Sequence, residues 1–161
     1  MWSVKCKLSL KRRAPPCRRA ARTILALLGL LPLLGACAAS PELEVSSVTM
    51  TVEAGANNDT PIRVDLALIA DQKLLSELLR VSAADWFKRK TQYQRDYPDQ
   101  LSVFEWEIVP NRKYSIDLPS RPAAWAGLVF AGYASPGEHR LITREADLKL
   151  RFSESDFVPL P

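Results

Sequence analysis

The chain has 161 residues, with 22 Lys or Arg against 18 Asp or Glu, one His, and a formal charge of +4. All 18 acids follow Ser40 and eight of the 22 basic residues precede it, so the remainder carries 14 basic against 18 acidic side chains, a net of −4. That balance excludes the basic nucleic-acid surface that +4 alone would suggest. Cys6, Cys17 and Cys37 are the three cysteines. Nothing after residue 37 can therefore form a disulfide, a Cys metal site or a Cys nucleophile.

Lys5, Lys7, Lys11, Arg12, Arg13, Arg18, Arg19 and Arg22 precede an apolar run over 24–34, which ends in Leu34-Gly35-Ala36-Cys37. A basic segment, a short apolar segment and small residues before a cleavage point are the parts of a secretory signal. The run is shorter than the roughly 20 residues that a membrane span needs. Leu34-Gly35-Ala36-Cys37 resembles the bacterial lipobox. The resemblance implies a signal peptide over 1–36, cleavage after Ala36, a diacylglycerol thioether on Cys37 and an acylated amino terminus. Such a protein is anchored to a membrane without spanning it. Ala38 follows Cys37 where an Asp would mark inner-membrane retention, which implies the outer membrane, with the protein facing the periplasm. No cofactor is expected beyond this covalent lipid.

Residues 37–45 read as a tether rich in small residues and Pro, followed by one domain over 46–161. Val48, Met50 and Val52 alternate with Thr49 and Thr51, the period of a half-buried strand. Residues 54–61 are dense in Gly, Asn, Asp and Pro and form a loop. Ile62, Val64, Leu66 and Leu68 alternate next, with Arg63 and Asp65 expected to face out. Leu74, Leu75, Leu78 and Leu79 then recur at helical spacing. Ser82 with Asp85 three residues on is the signature of a helix start, and Tyr97-Pro98-Asp99 stops that helix. Trp86, Lys90, Tyr93 and Tyr97 share one of its faces.

Phe104, Trp106 and Ile108 alternate again, Pro110-Asn111 turns, and Tyr114, Ile116 and Leu118 follow, so 102–118 reads as a β-hairpin. Residues 124–133 are apolar on both faces, as in a central strand. Trp106 and Trp125 are expected to be buried core residues, with Trp125→Ala costing about 3–5 kcal/mol. Residues 140–143, Leu148-Lys149-Leu150-Arg151-Phe152 and Phe157-Val158-Pro159 supply the last strands. About seven short strands between regular turns predict a mainly β two-sheet sandwich with a helical insertion near 71–96.

Chemistry is sparse. His139 is the only His and sits beside the turn Pro136-Gly137-Glu138. It has no second His or Cys with which to hold a metal, and a general base also needs a positioned partner and a substrate pocket. Glu105 and Glu107 read as the wet face of a strand. The glycines are isolated, so no loop cradles phosphate. No catalytic residue and no metal site are predicted, and the chain is not expected to be an enzyme.

The order of pieces carries a resemblance. A lipobox is followed by an Asn-rich turn, Pro61-Ile62-Arg63-Val64-Asp65-Leu66, a Leu-rich stretch, Ala84-Asp85-Trp86-Phe87, a turn at Pro110, Trp125-Ala126-Gly127-Leu128-Val129-Phe130-Ala131-Gly132-Tyr133 and a closing strand. This resembles the TssJ-type outer-membrane lipoproteins of the bacterial type VI secretion system. The resemblance implies a transthyretin-like β-sandwich with a helical addition. It also implies a structural role in the secretion membrane complex, through binding of the periplasmic domain of the TssM-type inner-membrane protein. The partner-binding loop it implies is the one between the first two strands, here Gly55, Asn57, Asn58, Asp59 and Thr60, with Asn57, Asn58 and Asp59 as exposed polar tips. The alternative is a periplasm-facing lipoprotein carrier or chaperone for acyl chains, which needs an apolar cavity of a few hundred Å³ or more, or another envelope-assembly lipoprotein.

Overall fold

The computed structural model describes residues 40–161. The signal peptide expected over 1–36 and the expected lipidation residue Cys37 lie outside these residues. Eight strands and two helices follow in order: β1 (Ser47–Val52), β2 (Ile62–Ile69), α1 (Gln72–Leu78), α2 (Ala83–Asp96), β3 (Leu101–Ile108), β4 (Arg112–Asp117), β5 (Ala126–Ala131), β6 (Arg140–Thr143), β7 (Asp147–Phe152) and β8 (Phe157–Pro159). They form two four-stranded sheets, ordered β4-β1-β7-β8 and β3-β2-β5-β6. The expected two-sheet sandwich with its helical insertion is the observed fold.

Three layers explain the burial pattern. Val48, Met50 and Val52 of β1 meet Val64, Leu66 and Val129 of the second sheet in one core, with Leu148, Leu150 and Phe152 of β7 beside them. The outer face of the second sheet is covered by α1 and α2 in a second core, which holds Ala67, Ile69, Leu74, Leu78, Trp86, Leu128 and Phe130. β1 has one wet face and alternates, whereas every residue of β5 is buried because both of its faces are covered. The helices begin on side-chain caps: Asp71 accepts from the Leu74 amide at 2.8 Å and Ser82 from the Asp85 amide at 3.2 Å. Among the described residues no helix is long and apolar enough to cross a membrane.

Four sequence expectations are corrected. First, 102–118 is not a hairpin: β3 pairs with β2, and β4 pairs with β1 in the other sheet. The turn at Pro110-Asn111 carries the chain across the sandwich, with Asn111 left-handed at φ 59°. Alternation cannot separate the two cases, because strands that face each other across a core carry the same pattern as strands side by side.

Second, Asp65 does not face water. It is 2% exposed beneath α2, accepting from Trp86 Nε1 at 2.8 Å and from Lys90 Nζ at 2.9 Å. Third, the core tryptophan is Trp86, fully buried and stacked on Phe130 at 4.6 Å between ring centres. Trp106 is only partly buried, and Trp125 is partly buried in a bend before β5. Fourth, the last residues of the expected tether are packed: Leu43 and Val45 are buried, and Leu43 bridges Ala124.

Lys90 neutralises the buried carboxylate and also binds Glu105 at 2.7 Å. Burial alone would lower its pKa, but the hydrogen bonds and charges of Glu105 and Asp65 leave it raised. Lys90→Met should cost about 2–4 kcal/mol, because it removes the one cation that faces the buried Asp65 carboxylate among the described residues. A raised lysine pKa contributes stability that is complete below the unfolded value of about 10.4 and fades as pH rises through the folded value. The gap between native chain and variant in urea denaturation should therefore be constant from pH 7 to 9 and shrink above pH 10.

Candidate functional site

The strand directions place four connections at one end of the sandwich: 53–61 after β1, 109–111 after β3, 132–139 after β5 and 153–156 after β7. The opposite end holds the entry of the chain at Leu43, the β4–β5 connection and the β6–β7 turn. There Ser46 and Ser47 both donate their hydroxyls to the Asp147 carboxylate, at 2.8 and 2.9 Å. Those bonds hold the Asp147 carboxyl below the usual range and fix the entering segment beside β7. The eight residues of β2 separate the two ends by about 25 Å at the usual rise per residue.

The first of the tip loops has an uncommon backbone. Gly55 has φ 80°, and Asn57, Asn58 and Asp59 are left-handed in succession at 51°, 56° and 56°. Asn and Asp are the non-glycine residues that visit this region most readily, so the composition of the turn follows from its conformation. The Asp59 carboxylate accepts from the Gly55 amide at 2.8 Å, which closes the turn on itself.

Asn57 is not an exposed tip. It is 4% exposed and serves as the pin of the whole end. Its amide NH₂ donates to Thr60 Oγ1 and to the Pro61 carbonyl, at 2.8 and 3.2 Å. Its Oδ1 accepts from the Ala134 amide at 2.7 Å, and its own backbone N–H donates to the Glu154 carbonyl at 2.9 Å. Three loops therefore meet on one residue. Asn58 and Asp59 are exposed as expected, Thr60 is exposed beside them, and Gly55 is half-buried.

The 132–139 and 153–156 loops are further tied to each other. Tyr133 Oη donates to the carbonyls of Ser153 and Asp156 at 3.2 and 2.9 Å, and Ser135 Oγ donates to the Ser155 carbonyl at 3.1 Å. Burial, with the nearby Asp156 charge, pushes the Tyr133 phenol far above its ordinary range, so it stays a donor at any physiological pH. His139 is buried at this joint with its ring against Tyr133, Nδ1 at 3.2 Å from Asp156 Oδ1 and Nε2 at 2.9 Å from the Ser135 carbonyl. The ring links two loops, a structural use of the only His.

Sequence reasoning singled out 54–61 and missed the other two loops as its partners. The turn signals Ser135-Pro136-Gly137-Glu138 and Ser153-Glu154-Ser155-Asp156 are present, but only the strand order brings them to the same end.

These contacts predict that Asn57→Ala and Asn58→Gly behave oppositely. Asn57→Ala strands a buried amide and carbonyl and should cost about 1–3 kcal/mol. Asn58→Gly changes an exposed left-handed residue and should stay within about 0.5 kcal/mol of the native chain. Thermal melts of both variants check this.

No protein-family model matches the chain, and no curated protein matches it in sequence. Solved structures do match. A chain of a structure described as a type VI membrane complex aligns at 12% identity with a TM-score of 0.58, over 74% of this chain and 99% of that one. The T6SS lipoprotein TssJ1 from Pseudomonas aeruginosa aligns at 15% identity with a TM-score of 0.56, over 75% of this chain and 98% of that one. A chain of a structure described as the T6SS protein TssM C-terminal domain (869–1107) from EAEC aligns at 13% identity with a TM-score of 0.56, over 74% and 98%. The sandwich with its helical layer is thus the fold of these secretion-system structures.

Proposed function

We propose that this chain is the outer-membrane lipoprotein of a type VI secretion membrane complex. In this reading it is held by lipid on Cys37, and its loop end binds the periplasmic domain of a TssM-type inner-membrane protein. The role is structural, without catalysis.

The observation that carries the reading is the polarity of the domain. The chain enters at one end, where Leu43 bridges Ala124, and the fused loops stand at the other. From Cys37 to Leu43 the chain can reach only about 20 Å. A lipid on Cys37 therefore keeps the entry end near the membrane and turns the loops into the periplasm. Loops held by a rigid scaffold are the usual place for recognition, and the hydrogen bonds centred on Asn57 prepay the ordering of this one. The fold shared with TssJ1, and with a chain of the structure described by the TssM C-terminal domain, supports the same partner.

The carrier reading finds less support. The clefts are open and mix charged with apolar walls: Arg144, Glu145, Asp147 and Lys149 stand beside Leu141, Leu148 and Leu160 in one of 540 Å³, Arg63 and Lys88 beside Phe87 in one of 450 Å³, and Glu42, Glu44 and Arg144 beside Leu43 and Trp125 in one of 650 Å³. Acyl-chain sites are lined predominantly by hydrophobic side chains. Calorimetric titration of the protein against the periplasmic TssM-type domain of the same organism, and against fatty acid and phospholipid, decides. Partner binding that weakens in Asn58→Gly with an unchanged melting temperature is the expected result. Tight lipid binding with no affinity for the partner domain would end the proposal.

A further inference from the structure

The 450 Å³ cleft lies between the start of α2 and the 132–139 loop, and its chemistry differs from that of the loop tips. Its wall carries the two cations Arg63 and Lys88 and no carboxylate; small residues, among them Ala83, Ala84 and Gly132, leave it open.

Arg63 is the fixed part. It lies on the helix side of β2, and its guanidinium carbon is 4.6 Å from the centre of the Phe87 ring. Its backbone carbonyl accepts from the Gly132 amide at 2.8 Å, which holds the loop against it. A Cβ at Gly132 would sit 3.3 Å from Phe87 Cε2, so loop and ring are already in close contact. Stacking restrains the guanidinium, yet it makes no ion pair and no side-chain hydrogen bond among the described residues: Glu107, its cross-strand neighbour on β3, stays beyond ion-pair distance, and the segment before residue 40 contains no acid that could supply one. Lys88 on the same wall has only a solvent-exposed contact with Asp85 at 3.4 Å.

A stacked guanidinium with free donors is preorganised for a carboxylate, which it can hold with two parallel hydrogen bonds. The cleft is continuous with the loop face, because Ala134 on its wall is the residue bonded to Asn57. We infer that this cleft docks a carboxylate-bearing segment of the protein partner, with an Asp or Glu pairing with Arg63 and a small side chain beside it filling the space against Gly132 and Ala84. The inference rests on the reading that the loop end binds a periplasmic partner, and it widens that surface from the tips to the flank of α2.

The test uses the full chain purified from membranes in detergent, titrated with the periplasmic domain of the TssM-type protein at several salt concentrations. Arg63→Gln should weaken binding about fivefold and Arg63→Glu more than tenfold, with a shallower salt dependence in both, since an exchanged ion pair is screened by salt. Thermal melts of both variants accompany the titration. Arg63→Gln keeps the fold-neutral stem and carries the test where the charge reversal disturbs folding. Binding by the native chain with no change in affinity or salt slope in Arg63→Gln overturns the cleft while leaving the loop reading in place. No binding by the native chain overturns both. Loss in Arg63→Glu of binding to phosphatidylglycerol vesicles, with partner binding intact, assigns the cleft to lipid phosphate and also overturns it.

Discussion

Trp86→Ala should be the most damaging single substitution in the folded domain. The indole is fully buried between the helices and the second sheet, with Phe130 stacked at 4.6 Å and Tyr93 at 6.0 Å. Deleting such an aromatic costs about 3–5 kcal/mol through lost transfer energy and the cavity left behind. A second loss is added here. Trp86 Nε1 donates to Asp65, a carboxylate that is 2% exposed, so its removal withdraws one of two partners from a buried charge at about 1–3 kcal/mol. The sum approaches the whole stability of an ordinary domain, about 5–15 kcal/mol. Trp86→Phe separates the parts, because it keeps the stacking and loses the hydrogen bond. Trp125→Ala should cost roughly half as much as Trp86→Ala or less, since Trp125 is only partly buried against the second core. Urea denaturation of the three variants measures all of this. A Trp86→Ala chain within 1 kcal/mol of native stability contradicts the packing.

The different fates of these tryptophans show what was legible in the sequence. Local signals carried far. Period-two alternation located β1, β2, β3, β4 and β7; leucines at helical spacing located α1; and Ser82 with Asp85 marked the residue on which α2 is capped. Each of these depends on neighbours within a few positions. What failed depended on distant ones. Alternation with Val64 and Leu66 predicts a solvent-facing Asp65, but a second layer 21 residues further on puts Trp86 over it. The same alternation makes β3 and β4 look like a hairpin, because it does not record which sheet a strand joins.

The loop fared in the same way. Its Asn-Asn-Asp composition announced a turn, and the turn is there in a left-handed conformation that suits those residues. That Asn57 is its buried pin follows only from Ala134 and Glu154, which lie 77 and 97 positions away. A turn-rich segment therefore holds two kinds of polar residue, one that builds the loop and one that it presents. Only burial separates Asn57 from Asn58.

On the proposed reading, Cys37→Ser should abolish lipid attachment to the outer membrane while leaving the folded domain unchanged. The thioether requires sulfur, so the serine chain should persist as a longer, unlabelled precursor. Each buried methylene contributes about 0.8 kcal/mol of membrane affinity, and one chain alone holds a protein only marginally, whereas two or three hold it stably. Losing all of them therefore removes the lipid anchor outright, and leaves the precursor with only its uncleaved signal segment to hold it at the inner membrane. The melt of the domain should not move, because Leu43 and Val45 still dock the entering segment and Ser46 and Ser47 still bind Asp147. Affinity for the partner domain in solution should survive as well, since the loops lie at the end of the sandwich away from the chain entry. If the chain links a secretion complex to the outer membrane as proposed, secretion should nonetheless fail, because the link then lacks its outer attachment. Metabolic labelling with a fatty-acid analogue, membrane fractionation and the titration above make the comparison. Equal labelling of the serine chain would remove the lipid from Cys37. An unlabelled serine variant that supports full secretion would separate the partner contact from the anchor and leave the anchor without a mechanical role.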